Sequence, residues 1–329
     1  MALARVQYEV PEPVLTPGFK NFLEGFALGR GGIRAGRRIR RYLQMARDPI
    51  QHKEWMRRFG LPLRNMILFS RPIPVSFGDI QVVLAPRGAT AGDLWAGLRC
   101  ETHEVSFVLD VLEPGMIFFD VGANAGLFSL SAAKKIGAKS VFAFEPCSST
   151  FQLLRQNLAL NQLADVNVAQ EALGESAGEG VLQINGRGRD GLNTLGRPTH
   201  PASIVVGQEE VCITSVDLFM KEHNVPRVDV MKVDIEGAEL MLFRGARELL
   251  MRADAPVILY EGFGFLTRGF GYHPVEILWL LEFCGYTLLL LNSETGAISG
   301  LKPDYQYDSM VIAVKPGHPA YRKLCGAAQ

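Results

Sequence analysis

Phe118-Phe119-Asp120-Val121-Gly122-Ala123-Asn124-Ala125-Gly126 is an apolar run that closes on an acid and passes straight into a glycine-containing turn. A buried strand turning tightly into a helix has this pattern. Gly122 lets the backbone come close to a ligand, and Gly126 lets helix and strand pack closely. The middle glycine of a dinucleotide G-x-G-x-x-G loop is Asn124 here. The loop is therefore poorly shaped for a pyrophosphate, which Asp120 would also repel.

Outward from this turn, strand and helix patterns alternate. Toward the N-terminus, a helical pattern from about residue 104 ends at Pro114-Gly115, ahead of strand Met116–Val121. Toward the C-terminus come helix Ala125–Lys135, strand Val141–Phe144, helix Ser149–Leu160 and strand Val166–Ala169. An irregular insertion follows, then a helix at 215–222, strand Val228–Val233, helix Gly237–Met251 and strand Pro256–Tyr260. A helix at 274–284 and strands Tyr286–Leu291 and Ser309–Val314 close the series. Strands separated by helices predict an α/β, doubly wound and mostly parallel sheet. The last two strands are joined by a loop alone, which predicts an antiparallel final strand. Ahead of this domain, at 104–316, the sequence places a basic helical extension at 1–60 and a short antiparallel β lead-in at 61–103, with a tail at 317–329.

The second strand of the alternation ends Phe144-Glu145-Pro146, 19 residues after Gly126. A carboxylate at that tip suits the two hydroxyls of a ribose. With Asp120 available to an ammonium and the loop amides to a carboxylate, the pattern favours adenosine carrying a cationic sulfonium and an amino-acid tail. Further on, Lys232, Asp234 and Glu236 alternate at a strand's end and are expected to share one face. Asp234 is the candidate base or hydroxyl acceptor, Lys232 its counter-charge, and Glu236 a support for substrate or loop. A strand end simply salt-bridged by Lys232 is the plainer alternative. Glu261 ends the next strand, and Asp234 with Glu261 offers an oxygen pair for Mg²⁺. The pair suits sugar hydroxyls equally well, and no metal is assigned. His273 and His103 are secondary base candidates whose plainer reading is a surface role. Phe263, Phe265, Phe270 and Tyr272 form an aromatic loop that either faces a sugar ring or packs down on the domain.

The stretch Asp120–Gly126, the Phe144-Glu145-Pro146 step and Val228-Asp229-Val230-Met231-Lys232-Val233-Asp234-Ile235-Glu236-Gly237 together resemble FkbM-type S-adenosylmethionine-dependent methyltransferases, over about residues 100–290. The resemblance implies a class I, Rossmann-like methyltransferase fold and methylation of a hydroxyl on a sugar or polyketide-type product. It implies a cofactor site built from Asp120, Gly122, Ala123, Asn124, Gly126, Glu145 and Pro146. Glu101 or Glu104 would lie in a lead-in segment near the cofactor, and Glu171-Ala172 near the adenine.

Composition narrows the setting. The 329 residues are 48% hydrophobic and 21% charged, enough for a full core and unlike a disordered chain. Five cysteines (Cys100, Cys147, Cys212, Cys284, Cys325) form no C-x-x-C pair, which points to reduced thiols rather than disulfides or zinc. Met1–Pro13 lacks a secretory pattern, and Glu276–Leu291 reads as a helix entering a buried strand, so a cytoplasmic protein is expected. The zero net charge hides a basic stretch: Arg30–Arg58 carries ten Lys and Arg against two Asp and Glu. Such a run is ordinarily a solvated face. The alternative is peripheral contact with an anionic membrane, or engagement of a glycan or small-molecule acceptor. A nucleic-acid methyltransferase is the first rival reading. It lacks the Asn/Asp-Pro-Pro-Tyr/Phe step, and no nucleic-acid partner is expected. A nicotinamide-dependent oxidoreductase is the second, weakened by Asn124.

Overall fold

A computed structural model describes residues 74–84, 102–186, 189–301, 305 and 307–328. The basic stretch Arg30–Arg58, Glu101 and the β-like run Met66–Phe69 lie outside these. The described residues fall into two units, 74–79 with Leu84, and 80–83 with the chain from Thr102 onward. The first holds strand β1 (Pro74–Phe77). The second carries everything that follows.

Its elements begin with β2 (Ile80–Val83), α1 (Thr102–Val111), β3 (Phe118–Val121), α2 (Leu127–Ile136), β4 (Val141–Phe144), α3 (Ser148–Leu160) and β5 (Asn167–Ala169). After β6 (Ala172–Leu173), β7 (Gly178–Asn185) and β8 (Val205–Thr214) come α4 (Val216–Glu222), β9 (Val230–Val233), α5 (Glu239–Arg244) and α6 (Arg247–Met251). The chain continues through β10 (Val257–Glu261), α7 (Gly264–Thr267), α8 (Val275–Phe283), β11 (Thr287–Leu291), β12 (Ile298–Gly300), β13 (Met310–Val314) and α9 (Tyr321–Ala327).

Eight strands form one sheet in the order β12-β11-β13-β10-β9-β3-β4-β5. From β5 to β10 all neighbours run parallel. As expected, the final strand is antiparallel: β13 enters between β10 and β11 and opposes both. Every residue of β3, β9 and β13 is buried, as required of strands covered on both faces. The chain leaves β3 toward β4 and β5, then returns to β9 on the other side. This reversal opens a crevice at the carboxyl ends of β3 and β9, where open α/β sheets bind ligands.

Two expectations need correction. The insertion expected to be irregular is a three-stranded sheet, β6-β8-β7, in which β7 and β8 form a long antiparallel hairpin. Most of β8 is exposed, so its sequence lacks the apolar alternation that marks a half-buried strand. The helix expected over Gly237–Met251 is two helices, broken at Gly245-Ala246. A Cβ at Gly245 would lie 2.0 Å from the Gly174 carbonyl oxygen, and Asp217 N donates to Gly245 O at 3.1 Å. A chain segment distant in sequence therefore occupies the space a continuous helix would need. Residues 317–329, expected as a tail, include α9, whose Leu324 is buried.

Candidate active site

The turn after β3 is held by backbone bonds from the neighbouring strand. Gly122 N and Ala123 N both donate to Phe144 O, at 3.0 and 2.9 Å. Positive φ at Gly122, Asn124 and Gly126 folds the chain sharply into α2. Gly122 also allows a close approach within the protein: a Cβ there would sit 1.8 Å from Asp234 O. Gly126 admits the Leu154 side chain of α3 in the same way, at 2.5 Å. Both glycines are needed to bring elements together at the crevice.

Glu145 stands at the tip of β4, largely buried. Its Oε2 accepts from Asn124 N and its Oε1 from Cys147 N, each at 3.0 Å. These charge-assisted bonds fix the carboxylate against the turn, directly before Pro146. The arrangement fits the nucleoside end of the expected cofactor: an acidic group at the second strand's tip, clamped to the loop that opens α2. Glu171 and Ala172 follow β5 at the same end of the sheet, where Ala169 O accepts from Glu145 N at 3.1 Å.

Asp120 does something different from the expected direct contact with an ammonium. Its side chain is wholly buried, takes a 2.6 Å bond from Ser129 Oγ and lies 3.8 Å from Lys232 Nζ. Burial pushes its carboxyl above the usual range, opposed by Lys232 and Ser129. The sequence places an acid at the strand's end, but pleat direction points it beneath the turn. There it anchors Lys232, whose Nζ donates to Gly122 O at 3.0 Å and lies 3.2 Å from Asp234 Oδ2. One buried cation thus joins the β3 turn to the β9 tip.

Glu236 joins this group by a route that strand alternation does not explain. The strand stops at Val233, and Glu236 takes a left-handed conformation, φ 53°, followed by Gly237 at 103°. Asp234, Glu236 and Glu261 each present a carboxylate oxygen, all within 4.8 Å of one another. Where the sequence offered Asp234 and Glu261 as a pair, the structure adds a third acid, and such a trio of oxygens suits a hard divalent cation. Burial and the neighbouring acids push Glu236 up to about 9, with Lys232 opposing. The same causes raise Glu261 well above the carboxylate range, and its Oε2 is buried without a hydrogen-bond partner among the described residues.

The residue that shapes this loop, Glu239, was not a sequence candidate. Almost fully buried, its Oε1 accepts from Gly237 N at 3.2 Å and Ile235 N at 3.4 Å. Tyr272 Oη donates to Gly237 O at 2.8 Å from the other side. Burial raises Glu239 to about 7, opposed by the amides it accepts from and assisted by Asp234. The signal was present in Glu236-Gly237-x-Glu239, an acid two residues beyond a glycine turn. Asn157 and Asn161 were also missed. From α3 they form a side-chain ladder along β2: Val83 N and Gln81 N donate to their Oδ1 atoms at 2.8 and 2.9 Å. Asn157 Nδ2 donates in turn to Val83 O and to Ala125 O of the turn, at 2.8 and 2.7 Å.

Other candidates settle elsewhere. His273 Nδ1 accepts from Val275 N at 3.2 Å at the start of α8, and its ring meets Tyr307 edge-on, a capping role. His103 lies against Gly296 in the β11–β12 turn. Glu104 is buried in the first turn of α1 and makes no hydrogen bond or ion pair among the described residues. In the aromatic loop, Phe270 packs on Gly196 and Gly237, and Tyr272 bonds to Gly237, so these two hold the loop down. Phe263 and Phe265 remain half-exposed, with His200 edge-on to Phe265 at 5.4 Å.

Residues 120–288, just over half the chain, match the family model described as Methyltransferase FkbM domain. The chain belongs to the FkbM methyltransferase family. Its doubly wound sheet with an antiparallel last strand is the Rossmann-like, class I methyltransferase fold. The chain is 30% identical over 140 residues to Methyltransferase 1 of Beauveria bassiana, covering 38% of this chain and 56% of that one. It is 27% identical over 161 residues to Hexuronic acid methyltransferase AglP of Haloferax volcanii, covering 49% and 62%. To 31-O-demethyl-FK506 methyltransferase FkbM of Streptomyces tacrolimicus it is 27% identical over 205 residues, covering 51% and 76%. The matched region spans 56% to 62% of the length of the first three curated relatives. Among the described residues no helix is long and apolar enough to cross a membrane.

Proposed function

We propose that this FkbM-family chain is an S-adenosylmethionine-dependent O-methyltransferase whose acceptor is a hydroxyl of a sugar-like molecule. The carrying observation is the group of three acids, Asp234, Glu236 and Glu261, at the tips of β9 and β10 beside the strand-order switch, with Lys232 3.2 Å from Asp234. Sugar hydroxyls are donors and acceptors at close spacing, and a cluster of carboxyl groups is suited to receive them. Two relatives support the reading, one a hexuronic acid methyltransferase and the other a methyltransferase of 31-O-demethyl-FK506.

The bound cofactor supplies a methyl group made electrophilic by its sulfonium. Glu145, fixed by the Asn124 and Cys147 amides, binds the ribose hydroxyls. With the cofactor bound, Asp234, with Lys232 beside it, would accept the proton of the acceptor hydroxyl whose oxygen takes the methyl group, the electron pair of the broken carbon–sulfur bond staying on sulfur. A positioned base of this kind contributes roughly 10²–10⁴-fold. Glu236, pushed up to about 9, carries its proton near neutrality and donates a hydrogen bond to an acceptor oxygen, while burial and the neighbouring acids raise Glu261 in the same direction. Asp120 stays beneath the turn and positions Lys232. The basic stretch Arg30–Arg58 is assigned to engaging anionic acceptors.

Methyl-labelled S-adenosylmethionine incubated with a panel of neutral and uronic-acid glycosides tests this reading. Label is expected in an alkali-stable ether with release of S-adenosylhomocysteine. Binding of NAD but not of S-adenosylhomocysteine in calorimetry would overturn it.

A further inference from the structure

The hairpin inserted after β6 carries a turn that reaches both loops of the site. Leu192 N donates to Arg189 O at 2.9 Å, and Asn185 Nδ2 donates to Leu192 O at 2.7 Å, closing the turn onto β7. On one side Gly191 lies against Asn124, where a Cβ would be 3.7 Å from Asn124 Nδ2. Three residues on, Thr194 Oγ1 donates to Glu236 O at 2.9 Å. The turn therefore sits between the β3 loop and the β9 loop, and Arg189 opens it.

Arg189 is half-buried, and its Nη1 is buried with no hydrogen-bond partner among the described residues. A guanidinium is always charged and has only donors to offer. Among the described residues none of the acids Asp234, Glu236 and Glu261 forms an ion pair with it. A buried donor without a partner is unfavourable, and a ligand acceptor placed against it relieves that cost. The planar fork of arginine matches a carboxylate in two parallel hydrogen bonds.

Building on the methyltransferase reading, we propose that Arg189 is a ligand-binding residue that receives a carboxylate at the crevice. Two sources have this chemistry, the amino-acid end of the cofactor and an acidic sugar acceptor. An anchor on a turn touching both Asn124 and Glu236 reaches toward either.

Three measurements on wild type, Arg189→Met and Arg189→Lys decide the matter. Calorimetry is done with S-adenosylhomocysteine and with 5′-methylthioadenosine, which has the same nucleoside without the amino-acid tail. Saturation-transfer NMR compares D-glucuronate with D-glucose on protein loaded with S-adenosylhomocysteine. Melting temperatures are taken without ligand. If the cofactor is the source, Arg189→Met weakens S-adenosylhomocysteine at least tenfold and leaves methylthioadenosine unchanged. If the acceptor is the source, both nucleosides bind as before and a wild-type preference for glucuronate disappears. In both cases Arg189→Lys falls between, because it keeps charge and loses the fork, and the unliganded Met variant melts no lower than wild type. The proposal is overturned if Arg189→Met changes neither nucleoside binding nor glucuronate preference, or if its only effect is a lower melting temperature. Failure of wild type to bind S-adenosylhomocysteine would instead refute the methyltransferase reading itself.

Discussion

Glu145 carries the most direct prediction about the cofactor. Its two carboxylate oxygens hold the Asn124 and Cys147 amides at 3.0 Å, on a side chain only 7% exposed. Glu145→Ala removes both acceptors and leaves two backbone donors to be satisfied by water. It also removes the acceptor for the ribose hydroxyls. One charge-assisted bond to a ligand hydroxyl contributes about 1.5–3 kcal/mol net. Loosening of Asn124 adds to the loss, while water entering the space offsets part of it. Affinity for S-adenosylhomocysteine should therefore fall by about 1–3 kcal/mol, roughly 5- to 150-fold, by titration calorimetry. Glu145→Gln separates the contributions: one oxygen still accepts, but the new NH₂ group faces a backbone N–H, so its loss should be smaller than that of alanine. Methylthioadenosine should weaken in parallel, since it carries the same ribose. A folded Glu145→Ala protein that binds both nucleosides like wild type would remove Glu145 from the site, leaving it only the task of holding the turn.

Four further outcomes follow from the geometry. Asp234→Asn should leave S-adenosylhomocysteine affinity nearly unchanged while turnover on an identified acceptor falls roughly 10²-fold or more, and full turnover would reassign the base. Glu239, with a folded value of about 7 against an ordinary carboxylate unfolded, stays protonated in the native state while the unfolded chain ionises. Its contribution to stability is thus present at low pH and lost as pH rises from about 4.5 to 7, by about 3 kcal/mol; urea unfolding of Glu239→Gln should show that much less decline than wild type. Asn157→Leu strands Val83 N, Val83 O and Ala125 O, and should cost about 3 kcal/mol in urea unfolding, with a cost below 1 kcal/mol refuting the ladder's role. Replacing Arg37, Arg38, Arg40 and Arg41 by Gln should weaken binding to anionic vesicles or acidic glycans at low salt, with the difference fading as salt rises; equal binding at all salt concentrations would indicate a merely solvated face.

The sequence by itself determined the order of the main-sheet strands from β3 to β11, the antiparallel last strand, and the placing of Glu145 and Asp234 at strand tips. All of these are local signals: apolar runs ending in an acid, glycines at turns, and a loop too short of helical pattern to cross over. Tertiary structure alone decided what those residues face. Asp120 lies in the strand-end motif, yet pleat direction sends it to Ser129 and Lys232. Glu236 follows the alternation on paper but reaches Asp234 through a left-handed turn held by Glu239 and Tyr272, the latter 35 residues from Gly237. Asn157 and Asn161 bond to β2 across 74 and 80 residues, a distance over which no periodicity carries information. Backbone preferences act over a few neighbours and can be read along the chain. The satisfaction of buried polar groups depends on which distant segment arrives, and only the packed fold settles that.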